Sequence, residues 1–531
     1  MAKNKNNNNG VFYGNIDFDF PSHMNVGTFV LSKLWNKEDD TIFVHGATDE
    51  KTSLHEFRQE IINVSVSLTR MGVQKGEVVA ICSENRPEVI ITALAALCSG
   101  AIVTFLNSAY SKVELAHTMG ISKPKYIFLS PNTYNVFYET MREKKGVKKY
   151  FIFGYSNKNV TSYNDLSTHN VDKNDFKPVD FKGSVETAII LYSSGTTGLP
   201  KGATLTHANL IVVGMQPAIN EKKLNYFSVA PWSNTIGLLC IFKEIIKGNL
   251  IIYLPKFNEK DYLRSIEKHK AGFLLMVPPL LVLLAKSKTL DKYDMSSVEI
   301  IYCGGAPLDK NVIEEVKKRF FVLQGYGMTE ATGAVTEETE KKFKQGSVGT
   351  VVDGNIIKVV DIETREIVGP YKEGEICVKG PVLFSGYIGK DISEDLDDQG
   401  FYKTGDIAYY DDEGFFFITD RLKELIKYKA YQVAPSEIEG IILQHPAVKD
   451  VGVVGAPDPL AGELPTAFVV KQHGKNLTEK DVIDFVRGKV SHWKQLRGGV
   501  RFVEEIPKTP SGKILRRILK KLLTEKPKSK L

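Results

Sequence analysis

At 531 residues the chain is too long for one ordinary hydrophobic core, because single cores stop growing near roughly 250–300 residues, so at least two domains are expected. With 43% hydrophobic and 25% charged residues, global disorder is excluded. The net charge of +6 arises from 69 basic and 63 acidic residues spread along the whole sequence, which argues against nucleic acid as a partner, and no apolar run reaches the ~20 residues of a membrane-spanning helix.

The chain opens on a polar stretch at 3–10 (KNKNNNNG) that cannot bury apolar surface, so residues 1–24 read as a disordered or extended lead. From 25 onward, helix-like stretches at 54–71 and 87–97 alternate with β-branched runs at 78–82 and 101–105, the rhythm of a parallel α/β sheet. A strand is expected over 188–192, then a Gly/Ser/Thr turn, then a helix from His207; apolar runs at 250–254 and 299–303 extend a second α/β subdomain. Between 355 and 417 short strands alternate with glycine turns, as at 375–379 and 415–418, and predict a β-rich subdomain. Residues 420–423 read as a domain boundary, followed by a helix over 435–444, a strand near 451–454, and a lysine-rich tail over 520–531. The fold class expected is α/β: a large N-terminal domain (25–419) of two α/β subdomains and a β-rich one, with a small mobile α+β domain over 420–519.

Cys82, Cys98, Cys240, Cys303 and Cys377 are scattered, without a CxxC pair or a His spacing that suggests zinc. They read as buried small hydrophobes in a reducing compartment.

Residues 192–202 read YSSGTTGLPKG, directly after the apolar run at 188–192. The glycines Gly195 and Gly198 let backbone N–H groups approach an anion, the hydroxyls of Ser193, Ser194, Thr196 and Thr197 add donors, and Lys201 supplies a cation. Gly202 after the lysine excludes the Walker pattern, and no GxGxxG is present. The loop predicts a triphosphate cradle.

Further blocks follow in order: Gly304-Gly305-Ala306-Pro307-Leu308; Gln324-Gly325-Tyr326-Gly327-Met328-Thr329-Glu330; Tyr402-Lys403-Thr404-Gly405-Asp406; Asp420-Arg421-Leu422-Lys423; and Pro510-Ser511-Gly512-Lys513. Together they resemble the adenylate-forming superfamily, which includes acyl-CoA synthetases, 4-coumarate:CoA ligases and firefly luciferase, and the resemblance runs from about residue 25 to the C-terminal region. It implies ATP and Mg²⁺ as reactants, a carboxylic acid as substrate and coenzyme A as acceptor of the acyl group.

The resemblance also implies roles. The loop residues, Gly305, Ala306, Gln324, Gly325, Tyr326, Thr329, Asp406, Arg421, Gln432 and Lys513 would bind ATP or AMP, with Asp406 on the ribose, Tyr326 on adenine and Glu330 on the metal. Lys513, Thr329, Glu330 and Lys201 would be catalytic, Lys513 bridging carboxylate and α-phosphate. Lys423 would be the hinge about which the small domain turns between half-reactions. Lys256, Lys427, Lys429 and Ala430 would border coenzyme A, and Trp232, Asn234, Gly304, Met328 and Gly333 the acyl pocket.

Two departures stand out. Ala430 replaces a glycine frequent in the family, where a Cβ restricts ligand approach. Asn234 falls where luciferase and 4-coumarate:CoA ligase carry a histidine, and Gly333 where luciferase has a serine, so neither light emission nor a hydroxycinnamate substrate is implied. The reading is an acyl-CoA synthetase for a fatty or aryl acid; the alternatives are a luciferase-like adenylate oxidase and a non-catalytic nucleotide or acyl-CoA binding protein. Ser529-Lys530-Leu531 reads as a peroxisomal address, recognised by the import receptor.

Overall fold

The computed structural model describes residues 7–19, 23–155, 159–168, 171–181, 185–194, 200–305, 310–421, 426–429, 431–433, 435–507, 514 and 516–524. Helix starts are set by short polar side chains. Ser53, Ser111, Ser130, Thr206 and Thr478 each accept a hydrogen bond from the backbone three residues on, and Glu56, Glu114, Thr133, Asn209 and Asp481 return one to the cap. Each pair satisfies two donors that a first helical turn otherwise leaves open.

Two largely parallel sheets form the bulk of the large domain. The first runs Pro200–Thr206, Thr187–Ser194, Ile102–Phe105, Val78–Cys82, Tyr126–Leu129, Lys149–Ile152, Thr161–Ser162. In the second, Ile300–Cys303, Ala271–Met276, Asn225–Ser228 and Ile251–Tyr253 are parallel neighbours, and Val322–Met328 leads to an antiparallel edge at Gly333–Glu337. One continuous core joins Val79 and Phe128 of the first sheet to Phe43 and Leu275 of the second through the helices between them. The helix Pro87–Cys98 belongs to that middle layer; every residue in it except Glu88 is buried, as expected of a helix apolar on all sides. Separate cores under the helices Lys112–Ser122 and Pro131–Arg142, and under Glu259–His269, cover the outer faces.

An antiparallel sheet of Ile356–Val360, Gly374–Lys379, Tyr402–Tyr410 and Phe416–Arg421 makes the β-rich subdomain. Its edge is completed by a hairpin of Asn7–Asn8 and Val11–Tyr13. The polar start expected to be disordered therefore carries a strand at residues 7–8, because a sheet edge recruits backbone N–H and C=O groups whatever the side chains. A second difference lies after the glycine-rich loop: Pro200–Thr206 is a strand paired with Thr187–Ser194, where the sequence suggested a direct passage into the helix at His207.

Beyond 426 a smaller sheet of Ile426–Tyr428, Tyr431–Val433, Val448–Asp458, Gly462–Lys471 and Val500–Phe502 packs its own core with the helices Pro435–Ile442 and Glu479–Arg487. This small domain meets the large one through a buried charge cluster. Lys494 Nζ donates to Glu437 Oε1 at 2.9 Å and forms an ion pair with Glu114 of the large domain. The three side chains are only 5%, 8% and 2% exposed. Beside them the Ser111 N–H donates to Ser491 Oγ at 3.2 Å, and the Tyr110 and Trp493 rings lie 6.3 Å apart.

Candidate active site

The hairpin Thr187–Ser194/Pro200–Thr206 sets Ser193 directly opposite Lys201, so the lysine is fixed by strand register although it follows a loop. Residues 195–199, with Gly195, Thr196, Thr197 and Gly198, lie outside the described residues. The Lys201 ammonium stands 5.3 Å from the centre of the Tyr387 ring. Ser193 Oγ donates to the Tyr387 hydroxyl at 3.3 Å, and that hydroxyl donates to Glu330 Oε1 through a short bond. Burial, with the Glu330 charge beside it, holds the Tyr387 hydroxyl far above the ordinary tyrosine range, so it remains a neutral donor.

Glu330 sits in a single tight turn, Thr329–Ala331, at the end of the strand Val322–Met328. Thr329 Oγ1 lies 2.6 Å from Thr235 Oγ1 at the start of the helix Thr235–Lys247. On the far wall the Tyr326 hydroxyl donates to Asp406 Oδ2 at 2.7 Å. Asp406 is 2% exposed and stands in register with Arg421 on the next strand. The Gly405 N–H donates to Glu375 Oε1 at 2.8 Å and the Thr404 hydroxyl to the Ile376 carbonyl at 2.6 Å, which fixes the turn that presents the carboxylate.

These groups line a single cavity of about 450 Å³. Ser193, Lys201, Thr329, Glu330, Tyr326 and Asp406 lie on its polar side. Gly304, Gly305, Gly325, Asn234, Met328 and Gly333 line it as well. Gly305 and Gly333 have φ of +86° and +110°, backbone that favours glycine.

Three expected residues sit elsewhere. Trp232 does not line this cavity: it is 2% exposed in the core, its ring 6.0 Å from Phe43 and 5.8 Å from Tyr253. Its N–H is held by Asn85 Oδ1 at 2.9 Å, so it anchors the turn before Asn234 instead of walling the pocket. Gln324 is buried, at 9% exposure, and does not line the cavity; its N–H donates to Glu338 at 2.9 Å. Lys256 is exposed and does not line this cavity.

Lys429 takes the left-handed φ of +54° and its N–H donates to the Ala461 carbonyl at 2.7 Å. The Lys427 N–H donates to Glu463 at 2.9 Å, and Gln432 pairs with Lys427 across the hairpin. Ala306, Lys423, Ala430, Lys513 and Ser529 to Leu531 lie outside the described residues. Tyr387 and Thr235 are the residues that sequence reading missed: each stands alone in its segment, and only the fold brings it to Glu330 and Thr329.

A buried carboxylate beside hydroxyls and a lysine, with an enclosed acidic group ready to accept two hydroxyl donors, suits a nucleotide triphosphate and its ribose. A family model described as AMP-binding enzyme matches residues 33–388, and one described as AMP-binding enzyme C-terminal domain matches 437–513. The chain belongs to the AMP-binding, adenylate-forming enzymes. This adenylate-forming enzyme is 39% identical to luciferin 4-monooxygenase of Nipponoluciola cruciata, over 92% of each chain. It is 35% identical to the probable 4-coumarate–CoA ligase 3 of Dictyostelium discoideum, over 92% of this chain and 94% of that one. Among solved structures it superposes on a double mutant of o-succinylbenzoate CoA synthetase from Bacillus subtilis, bound with its product analogue, with a TM-score of 0.80 and 25% identity, covering 94% of this chain and 98% of that one.

For a metal, no cluster of three or more His, Cys, Asp or Glu exists among the described residues. The site still fits Mg²⁺, which takes one or two carboxylates and completes its octahedron with phosphate oxygens and water; Glu330, next to Thr329 in the cavity wall, is one carboxylate that could take part.

Proposed function

We propose that this adenylate-forming enzyme is an AMP-forming acyl-CoA synthetase. The observation that carries the reading is a second cavity, of about 820 Å³, at the junction of the two domains. Ser108, Phe257 and Lys288 of the large domain and Lys429, Tyr431 and Leu460 of the small one border it. It shares Asn107, Ala230, Pro231, Val277 and Tyr431 with the first cavity, so a long thin thiol arm entering between the domains arrives beside the acyl pocket.

In the first half-reaction a carboxylate oxygen attacks the α-phosphorus and pyrophosphate leaves. Lys201 and Ser193 stand where triphosphate charge is to be balanced, Asp406 holds the ribose, and Thr329 is oriented by Thr235 toward the phosphate. Bound Mg²⁺, held by Glu330 and the triphosphate, would supply the countercharge of the leaving pyrophosphate. In the second half-reaction the thiol attacks the acyl carbon, losing its proton, and AMP leaves. The hairpin of Lys427 to Gln432 lies against the reaction cavity through Tyr431, which supports an orientation suited to that second step.

The 39% identity to a luciferin 4-monooxygenase favours an adenylate oxidase as the second reading. Pyrophosphate release across a panel of carboxylic acids, with and without coenzyme A, separates the two. The synthetase reading expects AMP and an acyl-CoA of the matching mass; light from ATP, luciferin and oxygen with no thioester overturns it.

We also propose that the enzyme works in the peroxisome, from Ser529, Lys530 and Leu531. A fluorescent fusion ending in this sequence is expected to enter peroxisomes and to stay out once Leu531 is removed; import without Leu531 sinks the assignment.

A further inference from the structure

The reaction cavity extends well past the phosphate site. Starting at Thr235, the helix Thr235–Lys247 leads away from Thr329, and Ile236, Leu239, Cys240, Lys243 and Lys247 line the cavity in turn, the spacing of one helical face. Facing them is a floor of rings from three neighbouring parallel strands. Tyr226 stacks on Phe273 at 5.9 Å and Phe273 on Tyr302 at 6.4 Å, with interplanar angles of 23° and 24°. Helix face and rings line the same stretch of the cavity and make its walls largely apolar.

Beyond Cys240 the lining turns polar, and most of its groups are engaged with one another. Lys247 donates to Glu244 at 2.6 Å, Asn249 donates to the other oxygen of Glu244 at 2.6 Å, and the Tyr302 hydroxyl donates to Glu337 at 3.1 Å. Two donors are left over. Lys243 is half-buried and forms no ion pair with any acidic side chain among the described residues. The Tyr226 hydroxyl, in a residue 1% exposed, has no carboxylate or carbonyl acceptor, only the Ser228 hydroxyl near it. Burial pushes the Cys240 thiol up to about 12, so it adds no negative charge. An ammonium without a carboxylate partner and a buried hydroxyl with only a neighbouring serine, both lining the far part of the cavity, suit an acceptor brought by the ligand.

We propose that the acid activated here is a dicarboxylic acid, one carboxylate adenylated beside Thr329 while the other is bound by Lys243 and Tyr226. This rests on the acid-activating reading above and deepens it. From Thr235 to Lys243 the helix rises about 12 Å, which an extended chain covers in roughly ten bonds. A helical lysine leans back toward the helix start, so chains of about six to ten carbons fit the span.

The test measures pyrophosphate release and thioester formation by the full-length enzyme with saturated dicarboxylates of increasing length, the matched monocarboxylates and the matched ω-hydroxy acids. The expected result is a kcat/KM maximum among dicarboxylates of intermediate length, roughly 10- to 100-fold above the monocarboxylates, the worth of a charge-assisted hydrogen bond. Lys243→Leu is expected to lower the dicarboxylate-to-monocarboxylate ratio at least about tenfold and Tyr226→Phe less so, with Lys243→Arg retaining most of it. Three outcomes overturn the proposal: monocarboxylates preferred by the wild type, ω-hydroxy acids preferred over dicarboxylates, or equal loss on both series in Lys243→Leu. Monocarboxylates converted to thioesters while dicarboxylates are ignored removes only this inference; no pyrophosphate from any acid removes the acid-activating reading and this one with it.

Discussion

Glu330→Gln is expected to reduce adenylate formation about 100- to 1000-fold, the scale on which removing one group aimed at developing charge slows a reaction. The substitution keeps the shape of the side chain and leaves an oxygen for the Tyr387 hydroxyl, so the fold should hold. What disappears is the charge: Glu330 is 8% exposed, sits at the junction of the Ser193–Tyr387 network with the Thr235–Thr329 pair, and is a carboxylate available to the metal. The readout is pyrophosphate exchange against Mg²⁺ concentration. The variant should require much higher Mg²⁺ and stay slow at saturation, while thioester formation from a supplied acyl-adenylate is less affected because no triphosphate is present in that step. Exchange at the wild-type rate in saturating Mg²⁺ would show that Glu330 has no electrostatic part in the reaction. Tyr387→Phe offers a graded comparison: it keeps the ring under Lys201 and removes only the hydroxyl that orients Glu330.

What the sequence disclosed and what it hid follow from how each part of the site is built. Ser193, Lys201, Thr329, Glu330 and Asp406 belong to short contiguous blocks in which a backbone turn itself presents the side chain, so the motif resemblance could name residues that the fold then brings to one cavity. Tyr387 reaches Glu330 across 57 residues of chain, and Lys243 matters only because strands far apart in sequence place Tyr226, Phe273 and Tyr302 across from its helix. Trp232 misled for the same reason, since the partners that bury it, Phe43 and Tyr253, come from other strands. The strand Pro200–Thr206 was hidden by a proline, a lysine and a glycine in its first three positions, residues that weaken a strand in isolation. At a sheet edge a leading proline costs no ladder bond, and the hairpin partner fixes the rest. The α/β rhythm of the large domain was legible because its buried parallel strands are short apolar runs whose signal is local.

Lys494→Met is expected to release the small domain from the orientation described here. The lysine balances two carboxylates, Glu114 on the large domain and Glu437 on the small one, all three nearly out of solvent. Removing one partner of such a cluster costs about 3–5 kcal/mol if the carboxylates remain buried, and undocking avoids that cost by returning Glu114 to water. On the proposed acyl-CoA synthetase reading, thioester formation should therefore fall while adenylation persists, and protection of the Ser111 amide, whose N–H donates to both Glu114 and Ser491, should drop in hydrogen exchange. The same cluster carries a pH dependence. Burial raises the Glu437 carboxyl to about 7, with Lys494 opposing the shift and Glu114 adding to it. A carboxyl raised on docking favours the docked state while it is protonated, so docking is favoured at pH 6 and weakens as pH rises through about 7, where ionised Glu437 leaves one uncompensated negative charge buried in the cluster. Exchange at Ser111, corrected for its intrinsic pH dependence, should be slower at pH 6 than at pH 8. In Glu437→Gln the difference should vanish, because the amide is neutral throughout. A pH difference that survives in Glu437→Gln would assign the titration to another group and leave Lys494 with a purely structural role.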